Sequence, residues 1–98
     1  MLAILYTEDK SPDLTDRAVK LASTFFQGFT LHKAQGYWKG TPEASLVFHF
    51  IGGEGDRHGF KSEVKSLAYA LRALLEQEAV LVWFSDNETF LAEKVTHG

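Results

Sequence analysis

The residues with the most chemical potential in this chain lie between Gly36 and Phe50, where Tyr37 and Trp38 are followed by the carboxylate of Glu43. The stretch predicts a hairpin. Lys39-Gly40-Thr41-Pro42 forms the turn, because glycine supplies a free φ and proline stops the next segment from pairing there, and Tyr, Trp, Val and Phe fill the flanking strands. Aromatic faces attract a positive centre and a carboxylate holds an ammonium, so this grouping suits a small molecule carrying an amino group and an onium charge. The alternative is structural: the two rings extend an apolar sheet face and Glu43 is a solvated strand end.

Other chemistries find less support. Gly52-Gly-Glu-Gly-Asp-Arg-His-Gly59 follows a strand and precedes a helix, where backbone N–H groups can cradle a phosphate. Its spacing fits neither the dinucleotide fingerprint nor the P-loop, and Glu54 and Asp56 repel an anion, so it reads as a mobile loop or a tight turn. The histidines at 32, 49, 58 and 97 show no helical i, i+4 pairing and no cysteine joins them, so no metal site is predicted. His49, between Phe48 and Phe50, is a packing residue or an inward-facing base, and His97 falls in a frayed tail. Ser45 and Ser85 lack the flanking glycines of a nucleophile turn. Glu76 and Glu78 close a helix as solvated carboxylates on either side of Gln77.

Composition narrows the class further. A formal net charge of −3 with neither sign clustered leaves no phosphate-backbone footprint, so nucleic acid is not an expected partner. With no cysteine there is neither a disulfide framework nor thiolate chemistry. No apolar run reaches a membrane-spanning length, and Met1-Leu-Ala-Ile-Leu-Tyr6 is short for a signal peptide and lacks the basic start. The expectation is a soluble, cytoplasmic protein of one domain, 1–98. A chain of 98 residues has a thin core for a monomer, which favours an oligomer.

The elements that must position these residues follow from periodicity. Leu2, Ile4 and Tyr6 alternate with Ala3 and Leu5 in a strand apolar on both faces, and Thr7 to Ser11 form a loop. Ser11-Pro12-Asp13 starts a helix, Leu14, Ala18, Leu21, Ala22 and Phe25 give it one apolar stripe, and Gly28 caps it. Phe29 to Trp38 is a strand with a bulge near Gly36, and Leu46 to Ile51 a stronger one. Phe60, Val64, Leu67, Ala68, Leu71, Leu74 and Leu75 mark a long amphipathic helix; Ala79 to Phe84 is a buried strand, Ser85 to Glu88 a turn, and Thr89 to Val95 a last short strand. The order βαββαβ, plus that short strand, is the ferredoxin-like α+β pattern: an antiparallel sheet with both helices on one face. Its bare face carries too many apolar side chains for water and is expected to pack against other subunits, as in PII-like trimers or dimeric α+β barrels.

Gly36-Tyr37, then Glu43 and an apolar strand, then Glu76-Gln77-Glu78-Ala79-Val80-Leu81-Val82 after a long helix and ending near Ser85, resemble the small S-adenosylmethionine lyases of bacteriophages. The resemblance covers roughly the C-terminal two thirds of the chain. It implies a PII-like homotrimer binding S-adenosylmethionine between neighbouring subunits, without cofactor or metal. The substrate's own carboxylate attacks its γ-carbon, releasing methylthioadenosine and homoserine lactone. On that resemblance Glu43 binds the α-ammonium and Tyr37 orients the carboxylate, while Trp38 or Phe48 lines the adenine or sulfonium pocket and Gln77 supplies a polar contact. The competing expectations are a non-catalytic PII-like module for a nucleotide or small ligand, and a structural oligomer with no ligand. Signalling modules of the first kind carry a long loop between the second and third strands, and here that connection is about four residues.

Overall fold

A computed structural model describes residues 1–94, so Val95 and His97 lie outside the described residues and the Trp38 side chain outside the described side chains. The elements are β1 (Leu2–Glu8), α1 (Pro12–Phe25), β2 (Thr30–Trp38), β3 (Thr41–Ile51), α2 (Arg57–Leu74), β4 (Ala79–Phe84) and β5 (Thr89–Glu93). They form one antiparallel sheet in the order β2-β3-β1-β4-β5. Each helical connection skips one strand: α1 carries the chain from β1 past β3 to β2, and α2 carries it from β3 past β1 to β4. This is the ferredoxin-like α+β arrangement, with β5 added outside β4.

Strand alternation divides the side chains cleanly. Ala3 and Leu5 of β1, Leu46, Phe48 and Phe50 of β3, and Val80, Val82 and Phe84 of β4 are fully buried with Val64, Leu67 and Leu71 of α2 in one core. Each large side chain so buried contributes about 2 to 3 kcal/mol. The opposite parity faces away from the helices, and on it Tyr6, Ile51, Leu81 and Leu91 are exposed while Val47 is covered. Among the described residues, no helix is long and apolar enough to cross a membrane.

The ends of the elements depart from expectation in four places, each for a local reason. Ser11 caps α1 by accepting from the Leu14 N–H at 3.2 Å, but the helix ends at Phe25 and not at a Gly28 cap. Phe26 already leaves helical geometry, and its ring packs 4.6 Å from Phe50 and 6.0 Å from Phe60. The hairpin turn is only Lys39-Gly40, both with positive φ (51° and 79°), a combination matching the twist of the strands it joins. Pro42 therefore lies inside β3, opposite Tyr37. In a two-residue hairpin that second pair is not hydrogen-bonded across the ladder, so the proline nitrogen points away from β2 and its missing N–H costs nothing. There is no bulge at Gly36, because the register runs unbroken from Thr30 opposite His49 to Trp38 opposite Thr41. Gly36 is instead a close-approach position: a Cβ there would sit 3.0 Å from Ser45 Oγ. Finally, β1 continues two residues beyond Tyr6, pairing Thr7 with Leu46 and Glu8 with Ser45.

The glycine-containing connection is a tight turn. Asp56 caps α2 by accepting from the Gly59 N–H at 2.8 Å, and the Met1 ammonium donates to the Gly52 carbonyl at 2.8 Å. Farther along α2, Lys61 pairs with Asp86 and, at 2.9 Å, with Glu88, while Lys65 reaches Glu88 at 2.7 Å. These pairs tie the helix to the β4–β5 turn. The Lys61 hydrogen bond holds the Asp86 carboxyl below its ordinary range, hydrogen bonds from Lys65 and then Lys61 do the same for Glu88, and the Asp86 hydrogen bond raises Lys61. Depressed carboxyls stabilise the fold above their unfolded values and lose that contribution as pH falls through the folded ones. The stability contributed by this network should therefore be complete above about pH 5 and decline below about pH 4. Lys61→Ala should lower the Tm at pH 7 and make the acid decline shallower; parallel Tm-against-pH curves for the two proteins would show that the network does not act this way.

Candidate functional site

The bare face of the sheet is closed at one end by a feature of β1. Pairing with β4 covers only Ala3 to Tyr6, so Thr7 and Glu8, which the same register would set against Val80 and Ala79, are left unpaired on that side. The Glu8 N–H instead donates to the Gln77 side-chain carbonyl at 3.2 Å. Gln77 is delivered there by the end of α2. Its N–H donates to the Arg72 carbonyl at 3.0 Å and that of Glu76 to the Ala73 carbonyl at 3.3 Å, the paired bonds of a Schellman termination. Glu76 occupies the left-handed position (φ 52°) normally given to glycine, and Arg72 returns a hydrogen bond to the Gln77 carbonyl at 3.1 Å.

This notch opens into a shallow cavity of about 620 Å³. Tyr6, Ala79, Leu81 and Leu91 form an apolar floor across β1, β4 and β5. Gly36, Tyr37, Glu43 and Ser45 contribute one wall from the β2–β3 hairpin, and Glu8, Gln77 and Glu78 the other. The electrostatics are one-sided: among the described residues three carboxylates line the cavity and no lysine, arginine or histidine does. Lys10 offers partial compensation, with its Nζ 3.7 Å from Glu8 in a partly exposed pair. Such a lining favours a cationic ligand and disfavours an anionic one.

Three residues singled out from the sequence, Tyr37, Glu43 and Gln77, meet at this cavity although they come from three separate segments. Tyr37 has the opposite parity to Glu43, since Gly36 is the residue opposite Glu43. It still reaches the rim because the hairpin overhangs the end of β1, and Tyr37 is 70% exposed. Phe48 does not line the site. It is five positions from Glu43, an odd number, so alternation turns it to the helix side, where it is fully buried beside Phe29 and Phe50. The Trp38 backbone pairs with Thr41, one step beyond Tyr37. Glu78 borders the cavity and is not only a solvated helix-end carboxylate.

Tyr6, Glu8, Leu81 and Leu91 are the residues the sequence reading misses. The signal for Glu8 was present in the Leu2-Ile4-Tyr6-Glu8 alternation, but its charge reads as the start of a loop. His49 lies on the bare face with its ring 4.7 Å from that of His32. Among the described residues, no group of three or more His, Cys, Asp or Glu side chains is placed to hold a metal ion.

No family model matches this sequence, and no curated protein does. Among solved structures, a phage SAM lyase in the apo state superposes with a TM-score of 0.79 at 16% identity, over 99% of this chain and 91% of its own. A phage SAM lyase in complex with S-methyl-5'-thioadenosine superposes with a TM-score of 0.74, also at 16% identity, over 95% of this chain and 88% of its own. This chain has the fold of the phage SAM lyases. At that identity the likeness fixes the arrangement of strands and helices, and the chemistry has to be argued from the cavity.

The Schellman end of α2 gives a direct test of how Gln77 is placed. A non-glycine residue in the left-handed region costs about 1 to 2 kcal/mol, so Glu76→Gly should stabilise the protein by about 1 kcal/mol, net of the chain entropy glycine adds. Denaturant unfolding measures this. A lower stability would mean that the Glu76 side chain contributes more than its backbone strain costs.

Proposed function

We propose that this protein is an S-adenosylmethionine lyase, cleaving its substrate to methylthioadenosine and homoserine lactone. The observation carrying this reading is the convergence of Tyr37, Glu43 and Gln77 on one cavity that, among the described residues, is lined by three carboxylates and no cationic side chain. The substrate carries an α-ammonium and a sulfonium, and this lining suits both. The shared fold with phage SAM lyases, one of them holding a methylthioadenosine, supports the same choice.

The reaction needs no group from outside the substrate. A carboxylate oxygen forms a bond to the γ-carbon, the γ-carbon–sulfur bond breaks, and its electron pair stays on sulfur, which becomes the neutral thioether of methylthioadenosine. No proton moves and no cofactor enters. The protein's task is to fold the amino-acid chain so that oxygen, γ-carbon and sulfur lie in line, and to keep water off the attacking carboxylate. Glu43 takes the α-ammonium, which frees the substrate carboxylate from its own internal ion pair. The Tyr37 hydroxyl donates to that carboxylate and aims it, and the Gln77 side chain supplies a further polar contact. The apolar floor of Tyr6, Leu81 and Leu91 takes the place in which the sequence suggested Phe48, beneath the adenosyl group.

A cavity open on one side does not exclude water, so we assign its missing wall to a neighbouring copy in a homotrimer. The exposed Tyr6, Ile51, Leu81 and Leu91 on the bare face support a partner there. The substrate is a cytoplasmic metabolite, and the proposed place of action is the cytoplasm. A PII-like signalling module would need a long loop between β2 and β3, and the two-residue turn at Lys39-Gly40 provides none.

Incubation of the purified protein with S-adenosylmethionine, followed by chromatography and mass spectrometry, should show methylthioadenosine and homoserine lactone in equal amounts. Absence of both products, with no thermal shift from the compound, would overturn the lyase reading. Glu43→Gln keeps the side-chain shape and removes the charge; it should lower turnover by about 10²-fold or more with an unchanged oligomeric state by light scattering. Full turnover in that variant would remove Glu43 from the mechanism.

A further inference from the structure

We infer that Glu8 reads the substrate's sulfonium charge and that Lys10 sets how strongly it does so, which makes the cavity selective for S-adenosyl sulfonium compounds over neutral thioethers. This inference rests on the reading of the cavity as an S-adenosylmethionine site.

The register supplies the geometry. Glu8 lies opposite Ser45, and Glu43 is two residues earlier on β3, so the two carboxylates are diagonal neighbours on one face of adjacent antiparallel strands. Such positions are roughly 7 Å apart. The substrate's ammonium nitrogen and sulfonium sulfur are separated by three carbons, a span of roughly 5 Å by ordinary bond lengths. Two carboxylates at that spacing therefore match two cationic centres, and with Glu43 on the ammonium, Glu8 is the carboxylate that the strand register sets at the distance of the sulfur, whereas Glu78 comes from the other wall of the cavity.

Glu8 is held in place but only loosely neutralised. Its backbone N–H is fixed by the Gln77 side chain at 3.2 Å. Its carboxylate faces Lys10 at 3.7 Å, with the two side chains 39% and 33% exposed, a pair that a bound cation can displace at little cost. Lys10 is itself tethered at the rim by a hydrogen bond to the Glu76 carbonyl at 3.4 Å, so it remains a standing competitor for Glu8.

This assignment separates the two carboxylates by their kinetics. The sulfonium charge disappears as the carbon–sulfur bond breaks, so an interaction with it is stronger in the ground state than in the transition state and supports binding without supporting turnover. Glu8 is thus a specificity residue. Its removal should raise KM while leaving kcat equal or higher, unlike removal of Glu43. The same change in charge weakens the hold on methylthioadenosine and favours its release.

The test compares two unreactive ligands on each protein by calorimetry: sinefungin, with a protonated amine near the sulfonium position, and S-adenosylhomocysteine, with a neutral thioether. Wild type should prefer sinefungin by about tenfold. Glu8→Gln should lose most of that preference, and Lys10→Gln should enlarge it a few-fold. Because both ligands are measured on the same variant, a general loss of folding cancels in the ratio. An unchanged ratio in Glu8→Gln, or shifts of the same sign in the two variants, would overturn the inference. Equal, measurable binding of both ligands to wild type would also overturn it while leaving the cavity's assignment intact, whereas binding of neither would overturn both.

Discussion

Strand β1 is hydrogen-bonded along both edges, to β3 from Leu2 to Glu8 and to β4 only from Ala3 to Tyr6, and the difference between those two lengths organises the molecule. Over the shared length β1 is the centre of a continuous sheet, and its odd-numbered residues Ala3 and Leu5 are buried against the helix side. Beyond it, β1 has a partner on one side and a gap on the other. A backbone N–H left at such a gap has to be satisfied. The Gln77 side chain does this for Glu8, which is possible only because α2 ends in a sharp Schellman turn that brings Gln77 alongside. The gap bridged in this way is the cavity.

The same chain treats its acidic groups in two different ways. Asp86 and Glu88 sit against Lys61 and Lys65, and the arrangement fastens the β4–β5 turn to α2. Around the cavity three carboxylates, Glu8, Glu43 and Glu78, are gathered, and Glu8 has a loose contact with Lys10. Like charges gathered together work against the compact state. Their placement on the sheet end opposes stability and suits a cationic ligand, which is the pattern of a binding surface, whereas the paired carboxylates on the helix side serve the fold.

Much of this was legible in the sequence because it is local. The Ser11 cap, the apolar stripes of both helices and the βαββαβ order follow from residue type and period; Tyr37 and Glu43 stood out by their chemistry, and Gln77 by the family resemblance. What escaped depends on contacts between distant segments. Glu8 reads as a loop residue until β3 is seen to extend alongside it to Ser45, and Gly28 looks like a cap until Phe26 is drawn out of the helix by Phe50 and Phe60. Phe48 is a different case. Counting from Glu43 to Phe48 places them on opposite faces of one strand, so its error lay in valuing an aromatic ring above the parity of the strand that carries it.

The division of the sheet into two faces also separates what holds the protein together from what it can do. The helix side is filled by buried residues such as Phe48, Phe50 and Phe84, and its packing requires nothing from the opposite face. The carboxylates are spaced by strand register, which is among the stiffest rulers a protein has, since a one-residue slip would turn every side chain over. A reaction of the proposed kind, carried out by the substrate on itself, asks for that kind of part: polar groups at fixed positions that hold a flexible chain while its own carboxylate attacks. On the proposed reading, register supplies the spacing from within one chain, while the exclusion of water has to come from a second surface laid against the bare face. The fold can therefore form without the complete site, and assembly of neighbouring copies becomes the step at which binding turns into catalysis.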